Sequence, residues 1–341
     1  AGLLTGRYQQ RAGIEAVIHP VSDHPEHQKG LRKSENTFAE LLKQAGYRTA
    51  LIGKWHQGYP HNSAEFHPDN HGFDTFVGYH SGNIDFISHV GDHVKHDWWH
   101  GRKETQEAGY STHLINQYAL QFIEESRNQP FCLYLAHEAI HNPVQVPGDP
   151  VRRTEAAGWK PSRDFPSGSP KWRGAKGSVY EGGHRVPAIA WWPGKIQAGT
   201  ETDVPAISLD VMPTLLGIAH IDMPKDRPLD GVDLSPVLFE QKPLAERPLF
   251  WASLSNNGSR SEAMRAGPWK LVVQHPRATP GTFENQKVEL YRLDQDPGEA
   301  NNLSKAEPQR ASRMLKQLKD WYQDTQNTAT SQPGGWLKQG S

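Results

Sequence analysis

Apolar residues recur with helical spacing at four places along the chain. Residues 112–127 place six apolar side chains on one helical face, and residues 208–219 predict a second helix with Pro213 near its first turn. A shorter helix begins after Thr37, which is spaced to form a capping box with Glu40. Near the end of the chain a fourth apolar face is formed by Met314, Leu315, Leu318, Trp321 and Tyr322.

Short apolar runs between these helices predict β-strands. Residues 49–53 (TALIG), 131–136 (FCLYLA) and 186–194 (VPAIAWWPG) are almost continuously apolar, which is typical of buried strands in a parallel sheet. Beyond residue 221 prolines and loops dominate, and the stretches PLFWAS, PWKLVVQ and KVELYRL then predict antiparallel strands. The pattern predicts an α/β domain over residues 1–220 and a small antiparallel sheet with a terminal helix over residues 221–341.

Composition and charge narrow the class of protein. Only 35% of the 341 residues are hydrophobic, but eleven Trp, ten Tyr and eleven Phe argue against a disordered chain. The net charge of −1 offers no electrostatic reason to bind nucleic acid or a membrane surface. No apolar run approaches the roughly 20 residues of a transmembrane helix. The single cysteine, Cys132, excludes an intramolecular disulfide and is expected to be a buried, unreactive thiol.

Polar residues with useful chemistry follow the predicted strands. Lys54 and His56 come directly after residues 49–53, and His141 follows the second apolar run. Lys176 lies in a loop between Gly174 and Gly177, where small neighbours let a ligand approach the backbone. Ligands of open α/β sheets bind beyond the carboxyl ends of the strands. Because lysines stabilise an oxyanion and histidines transfer protons near neutral pH, this set suits a sulfate or phosphate ester.

A histidine-rich run occupies residues 89–100. Its spacing does not match a zinc motif, and no thiol accompanies it, so we expect these histidines at the surface or at the rim of a cleft. Trp99 and His100 are candidates for lining that cleft and contacting a substrate. The loops at 80–107 and 150–172 are the expected sites of substrate specificity.

Several long motifs together resemble the type I, formylglycine-dependent sulfatases of the arylsulfatase group. LLTGR (3–7) is similar to the second half of their signature, and GYRTALIGKWHQG (46–58) resembles their second signature, with Gln57 where Leu is usual. Further similar blocks follow in family order: HGFDTFVGY (71–79), PFCLYLAHEAIHNPVQ (130–145), RGAKGSVYEGGHRVP (173–187), SLDVMPTLLGIAHI (208–221) and LYRLDQDPGEANNL (290–303).

The resemblance implies a fold and assigns roles. The fold would be an alkaline-phosphatase-like mixed sheet sandwiched by helices, with the smaller C-terminal sheet and helix beside it. Lys54 would lie near the formylglycine hydroxyls, His56 would take the proton when the sulfated intermediate collapses, and His141 would lie beside the leaving-group oxygen. Lys176 would contact the sulfate. Thr5 and Arg7 would support the turn of the nucleophile, and calcium would polarise the sulfate.

Two departures from the family pattern concern the nucleophile and the metal. The modified Cys or Ser would lie four residues before the signature arginine, and that arginine would immediately precede Ala1. Both would fall outside this sequence, together with an upstream Asp pair that binds calcium. Only 35 positions separate His141 from Lys176, without the family's strand that ends in Asp-Asn-Gly. We therefore expect no metal ligands and no formylglycine site in this chain. Little or no turnover is expected from the chain as printed.

The substrate class and the alternatives follow from the same residues. The intact parent would hydrolyse sulfate esters of carbohydrates or aryl alcohols, with a sulfated small molecule or glycan as its partner. Two alternatives are a phosphodiesterase or phosphonate hydrolase of the same superfamily, and a non-catalytic binder of sulfated glycans; an incomplete product without its own function is a third. The family suggests a periplasmic or extracellular location, although no leader is visible.

Overall fold

The protein forms two compact units whose segments alternate along the chain. The computed structural model describes residues 1–19, 28–159, 170–254, 259–275 and 286–330. The first unit consists of Ala1–Arg7, Ile18–Phe165 and Val211–Val232, and the second consists of Tyr8–Val17, Pro166–Asp210 and Asp233–Ser341. The domain boundary that we expect at residue 220 stays a prediction, since these units are defined by contacts rather than by a single division of the chain.

Within the described residues the chain forms seven α-helices and eleven β-strands. The helices are α1 (Gly2–Thr5), α2 (Phe38–Gln44), α3 (Ser111–Ser126), α4 (Glu181–His184), α5 (Val211–Ile218), α6 (Ser235–Glu240) and α7 (Pro308–Asn327). The strands are β1 (Arg48–Lys54), β2 (Thr75–Tyr79), β3 (Trp99–His100), β4 (Lys103–Glu104), β5 (Phe131–Ala136), β6 (Arg153–Thr154), β7 (Gly158–Trp159), β8 (Leu249–Leu254), β9 (Arg260–Ala266), β10 (Trp269–His275) and β11 (Lys287–Arg292).

The first unit is built on a mixed sheet in the order β4-β3-β2-β1-β5. Strand β1 pairs in parallel with β2 on one side and with β5 on the other, whereas β3 and β4 continue the sheet in antiparallel fashion. The strand predicted at residues 49–53 is therefore confirmed as the central parallel strand. Its position places the residues that follow it between the ends of two neighbours.

Helices cover both faces of this sheet. Alternate residues of β1 face opposite sides, and Ala50 and Ile52 pack in one buried cluster with Ile115 and Phe122 of α3. On the other face Phe38 of α2 lies 6.3 Å from Tyr134, measured between ring centroids. The predicted capping box of α2 is confirmed: the Thr37 hydroxyl accepts from the Glu40 amide, and the Glu40 carboxylate accepts from the Thr37 amide. The sandwich architecture expected from the sequence is present.

Strand β5 corrects one expectation. Residues 131–136 form the predicted strand, but it is not fully buried, because Phe131 is 36% exposed and Leu135 is 39% exposed. The physical reason is its place in the sheet: among the described strands β5 pairs with β1 alone and forms an edge. A continuous apolar run thus belongs here to an edge strand, and Cys132 within it is half-buried.

The second unit contains an antiparallel sheet in the order β11-β10-β9-β8 with the long helix α7. The strands predicted in the C-terminal region are confirmed as β8, β10 and β11, and the predicted terminal helix is confirmed as α7. Leu318 and Trp321 of the helix join Leu271 and Val273 of β10 in one buried cluster. Burial of this apolar helical face against the sheet holds the unit together.

The sequence pattern did not predict strand β9. Its residues, RSEAMRA, carry three charges and do not resemble a core strand, yet the strand pairs along its length with both β8 and β10. Glu262 is fully buried, forms an ion pair with Arg260 and accepts a hydrogen bond from His275 Nε2 at 3.2 Å. Buried charges that are compensated in this way have no simple hydrophobic signature, which explains the omission.

The third strand predicted in the N-terminal half, over residues 186–194, is wrong. This segment has no strand structure, and Val186, Ile189 and Trp191 are 77%, 95% and 83% exposed. No described strand pairs with it, so its apolar composition alone does not make it a strand. The helix predicted at 208–219 is present as a 3₁₀ turn, Ser208–Asp210, followed by α5. None of the helices in the described part of the chain is long and apolar enough to cross a membrane.

Candidate active site

The carboxyl ends of three strands meet at one edge of the first unit's sheet. Lys54, the last residue of β1, is in register with Tyr79, the last residue of β2, and Gly53 is in register with Ala136 at the end of β5. The segments that leave these strands therefore start side by side. This is the arrangement predicted for Lys54, His56 and the segment that carries His141.

Two glycines allow the strands to approach closely at this edge. Gly53 and Gly78 both have positive φ angles, of 112° and 151°. A Cβ atom on Gly53 would lie 2.0 Å from the carbonyl oxygen of Ala136, and one on Gly78 would lie 1.9 Å from the carbonyl oxygen of Gly53. No side chain fits there, so glycine at both positions is required for the close approach of β1, β2 and β5.

His56 is held as a neutral imidazole with a defined tautomer. Its Nε2 lies 2.9 Å from the carbonyl oxygen of Ile18, and because a carbonyl only accepts, Nε2 carries the proton. Burial, together with the positive charge of Lys54 and the proximity of His141, lowers the pKa of His56 to about 4, although Asp92 opposes the shift. At neutral pH, Nδ1 therefore carries a lone pair and can accept a proton.

An aspartate that the sequence interpretation missed lies against His56. The Gly82 amide donates to Oδ2 of Asp92 at 3.1 Å, and a Cβ atom on Gly82 would lie 2.9 Å from both Asp92 Oδ2 and His56 Cε1. Gly82 thus brings the carboxylate and the imidazole together. Asp92 lies within the histidine-rich run, but nothing in its local sequence distinguishes it from a surface aspartate.

A second carboxylate missed by the sequence interpretation, Asp97, orders the segment that follows β2. It is 2% exposed and accepts hydrogen bonds from the amides of His80 and Ser81, at 3.1 and 2.8 Å, and from the Trp99 indole at 2.7 Å. Burial raises the pKa of Asp97, but the contacts with His80 and Ser81 outweigh burial and hold it well below its usual range. Asp97 is therefore ionised and anchors this wall of the site.

His141 lies on the turn that leaves β5. Its amide donates to the carbonyl of Glu138 at 2.6 Å, and its Nδ1 lies 3.0 Å from the carbonyl oxygen of Asn142. Glu138 itself is buried and accepts hydrogen bonds from the Ser111 and Thr112 hydroxyls of α3. The helix thus fixes the turn, and the turn brings His141 within electrostatic range of His56.

Trp99 and His100 differ in their surroundings, because neighbouring residues of β3 face opposite sides of the sheet. Trp99 pairs with Gly78 near the carboxyl end of β2, and its ring lies 5.1 Å from that of His80. His100 Nε2 instead lies 3.1 Å from Glu107 Oε2, and its ring packs edge-on against Tyr118 of α3. A substrate contact remains a prediction for both residues, and Trp99 is the one near the strand ends.

Thr5 and Arg7 surround the end of the short helix α1. The Thr5 hydroxyl donates to the carbonyl of Ala1 at 3.2 Å, and Gly6 ends the helix in the left-handed conformation. Arg7 is 1% exposed, and its Nη1 donates to both oxygens of Glu35 at 3.0 and 2.9 Å. Both side chains hold the backbone of residues 1–7 in place, and their support of a nucleophile's turn stays a prediction.

Lys176 belongs to the second unit, where it occupies the tip of a loop. The flanking Gly174 and Gly177 have positive φ angles of 82° and 87°, and the lysine side chain is exposed. The loop between two glycines expected from the sequence is present.

The described residues contain neither a cluster of metal ligands nor a reactive thiol. In the described ranges no three His, Cys, Asp or Glu side chains are grouped so that they could hold a metal ion. The expectation that this chain carries no calcium ligands stays a prediction. Burial raises the pKa of the Cys132 thiol to about 11, so this cysteine carries little thiolate at neutral pH.

Comparison with known proteins identifies the family. Residues 1–163 match the family model described as Sulfatase, and residues 172–328 match the one described as N-sulphoglucosamine sulphohydrolase, C-terminal. The chain belongs to the sulfatase family and has the alkaline-phosphatase-like fold; by family it is a sulfuric ester hydrolase. The phosphodiesterase and phosphonate hydrolase alternative is not favoured.

The names of the individual relatives describe sulfatases of sugar or aryl substrates. The chain is 33% identical to N-acetylgalactosamine-6-sulfatase of Mus musculus, with 89% of this chain and 72% of that protein aligned. It is 26% identical to arylsulfatase G of Rattus norvegicus over 97% of this chain and 78% of that protein. A solved structure, Ps i-CgsB in complex with k-i-k-neocarrahexaose, superposes with a TM-score of 0.75 at 22% identity, covering 98% of this chain and 82% of that one.

The chain is shorter than its relatives. It spans 58% of the N-acetylgalactosamine-6-sulfatases of Sus scrofa, Rattus norvegicus, Homo sapiens and Canis lupus familiaris. The alignment with the mouse protein covers 382 positions, whereas 89% of 341 residues is about 303, so 382 − 303, or about 79, positions have no counterpart in this chain.

Proposed function

We propose that the protein hydrolyses sulfate esters of carbohydrates, and that Lys54, His56 and His141 contact the sulfate ester group. The observation that carries the proposal is the meeting of these residues' segments at the carboxyl edge of β1, β2 and β5, where Lys54 and His141 both lower the pKa of His56. The names of the relatives favour a sulfated amino sugar or an aryl sulfate as substrate. The resemblance adds Lys176 as a second positive charge for the sulfate.

The roles follow from the protonation states. The Lys54 ammonium stabilises negative charge that develops on the sulfate oxygens. His56, neutral at pH 7 with its lone pair on Nδ1, accepts a proton, and His141 transfers a proton to the leaving alcohol oxygen as the S–O bond breaks. Formylglycine and calcium, typical of the family, supply the nucleophile and a Lewis acid where they are bound.

The sequence also lacks a residue that could become formylglycine. The sequence contains no Cys or Ser in the C/S-x-P-S/A-R context, and no step above is assigned to such a residue. The 341-residue chain by itself is therefore expected to bind sulfate but to turn over little or no sulfate ester. A periplasmic or extracellular location, suggested by the family, is proposed together with this activity.

Sulfate binding by the chain tests the proposal without requiring turnover. Isothermal titration calorimetry with inorganic sulfate should detect binding that Lys54→Ala weakens by about tenfold or more, since a charge-assisted contact contributes about 1.5–3 kcal/mol. Lys43→Ala is the matched control, because Lys43 lies in the same unit at the exposed end of α2 and pairs with Asp74. It should leave the affinity unchanged.

Substrate preference is tested in a sulfatase that contains this chain together with the family signature. We expect hydrolysis of a sulfated amino sugar and of a chromogenic aryl sulfate, and loss of both in His56→Asn. The proposal is wrong if inorganic sulfate does not bind the chain, or if phosphate diesters are cleaved in preference to sulfate esters.

A further inference from the structure

The loop that carries Lys176 has hydrophobic support only towards its end, where Val179 and Tyr180 pack against a buried cluster that includes Val272. This segment, residues 173–181, is here named the lysine loop. The Gly182 amide donates to the carbonyl of Arg173 at 2.7 Å and closes the loop at its base. Val179 is its only buried apolar side chain. Ordering the backbone of a loop costs about 1–2 kcal/mol per residue in conformational entropy. Further contacts must therefore hold the lysine loop in place.

Those contacts come from a buried lysine beneath the loop. Lys270, the second residue of β10, is completely buried, and its ammonium donates to Glu181 Oε1 at 2.8 Å and to His184 Nε2 at 3.0 Å. Glu299 Oε1 lies 2.9 Å away as a third partner. The ammonium thus donates two hydrogen bonds and forms an ion pair with each of two carboxylates. Burial, followed by the charge of Lys270, lowers the pKa of His184 to about 4, which keeps this acceptor neutral.

Glu299 contacts both ends of the lysine loop. Its carboxylate Oε2 accepts from the amide of Glu181 at 2.7 Å, and its main-chain carbonyl accepts from Arg173 Nη1 at 2.8 Å. Arg173 also donates to the hydroxyl of Tyr291 at 2.7 Å, and its guanidinium lies 3.9 Å from the Tyr180 ring centroid. One fully buried residue of the 290–303 block thus joins the beginning of the loop to its end.

Stability alone does not account for this arrangement. Well-packed apolar residues in place of a buried charge cluster are often neutral or stabilising, because removing charges from water is costly. The cluster instead fixes the orientation of the loop, because each hydrogen bond holds its donor and acceptor at a defined distance. The contacts end on Arg173 and Glu181, which frame the loop, and Ser253 of β8 donates to the carbonyl of Gly177, next to Lys176, at 3.3 Å.

We infer that Lys270 and Glu299 are positioning residues that hold the lysine loop so that the Lys176 ammonium is fixed for an anionic sulfate group. The inference rests on the sulfate-binding role of Lys176 in the proposed function. Neither residue contacts the substrate itself, since both are completely buried beneath the loop. They act through Lys176, so their effect on sulfate must disappear when Lys176 is absent.

The order of the loop is measured first. Trypsin cleavage after Lys176 is followed by mass spectrometry, well below the unfolding temperature, in the wild type, Glu299→Gln and Lys270→Met. The control is Glu262→Gln, which removes a carboxylate that is equally buried and paired, in the same sheet, with Arg260 and His275. Cleavage after Lys176 should be at least about tenfold faster in the two loop variants than in the control, because protease access follows local opening.

The coupling to Lys176 is measured second, by the affinity for inorganic sulfate in a double-mutant cycle. Glu299→Gln should weaken sulfate binding by a large part of the loss seen in Lys176→Ala, and should cause no further loss in the Lys176→Ala background. Glu299→Gln is close in shape to the native residue and remains informative if Lys270→Met does not fold. Glu262→Gln should leave the affinity unchanged.

The two measurements test two separate claims, the ordering of the lysine loop and the binding of sulfate by Lys176. Additive losses in the cycle, or cleavage after Lys176 no faster than in the Glu262→Gln control, would overturn the inference. If the wild type binds no sulfate, the proposed function fails and the role assigned to Lys176 fails with it. Faster cleavage in that case would still show that Lys270 and Glu299 order the loop.

Discussion

The two units each present a lysine for the proposed chemistry, but they hold it by different physical means. In the first unit Lys54 ends a central strand, and the close approach of the backbone at Gly53 and Gly78 determines its position. In the second unit Lys176 lies on a loop whose ends are held by the buried charges of Lys270 and Glu299. One position depends on steric fit and the other on electrostatic pairing.

Because the two lysines are held by different forces, different substitutions should destabilise the two regions. A sheet edge packed to backbone contact tolerates no added atoms but does not depend on a single charge. A loop held by an ion cluster tolerates small changes in volume, whereas loss of one charge leaves its partners buried without compensation. Three experiments test this difference between the units.

The largest effect is expected from Gly78→Ala in the first unit. The new Cβ atom would lie 1.9 Å from the carbonyl oxygen of Gly53, at a φ of 151°, so both overlap and backbone strain apply. We expect a loss of about 4 kcal/mol in the free energy of unfolding of this unit. Denaturant-dependent hydrogen exchange of the β1 and β2 amides measures it.

Gly46→Ala is the control that separates backbone strain from steric overlap of the new Cβ atom. Gly46 has a φ of 89° in the same unit, but a Cβ atom there meets no atom within 4 Å. A loss of only about 1 kcal/mol is expected. Equal losses for the two variants would contradict steric fit as the determinant of the sheet edge.

A somewhat smaller effect is expected from Glu181→Gln in the second unit. The volume is almost unchanged, but Lys270 loses one of its two carboxylate partners in a fully buried position. We expect a loss of about 3 kcal/mol, seen in hydrogen exchange of the β9 and β10 amides. Glu240→Gln, at an exposed pair with Lys242, should change stability by less than about 0.5 kcal/mol. If Glu181→Gln lowered the free energy of unfolding as little as Glu240→Gln does, the electrostatic account would be contradicted.

The smallest effect is a difference in pH dependence between the units. Burial lowers the pKa of His56, His71 and His89 in the first unit to about 4, and that of His184 in the second unit to about 4. Unfolded histidines bind a proton near pH 6.5, so between these values the unfolded state binds more protons and stability falls as the pH falls. Each histidine contributes about 1 kcal/mol between pH 7 and pH 5.5.

Three histidines against one should therefore destabilise the first unit by about 2 kcal/mol more than the second over that range. Hydrogen exchange of β1 and β2 amides, compared with β9 and β10 amides and corrected for intrinsic rates, measures the difference. A steeper fall in the second unit would show that its ion cluster, rather than the buried histidines, dominates the response to acid.

Much of the first unit could be predicted because its signals are local. Helical spacing, a short apolar run and a capping box identified α3, β1 and α2, and the expectation that parallel strands end together brought Lys54, His56 and His141 to one edge. The prediction failed where neighbours decide the outcome. Residues 186–194 are apolar but unpaired, and β9 is charged but buried, because pairing depends on strands distant in sequence.

The sequence by itself determined the family, the periodic elements and the lysines and histidines that follow the strands, since these depend on spacing along the chain. Only the tertiary structure revealed Asp92 beside His56, Asp97 under the segment after β2, and Lys270 with Glu299 under the lysine loop. Their importance comes from burial and from charges that meet across long separations in sequence. Desolvation and pairing of this kind exist only once the chain has folded.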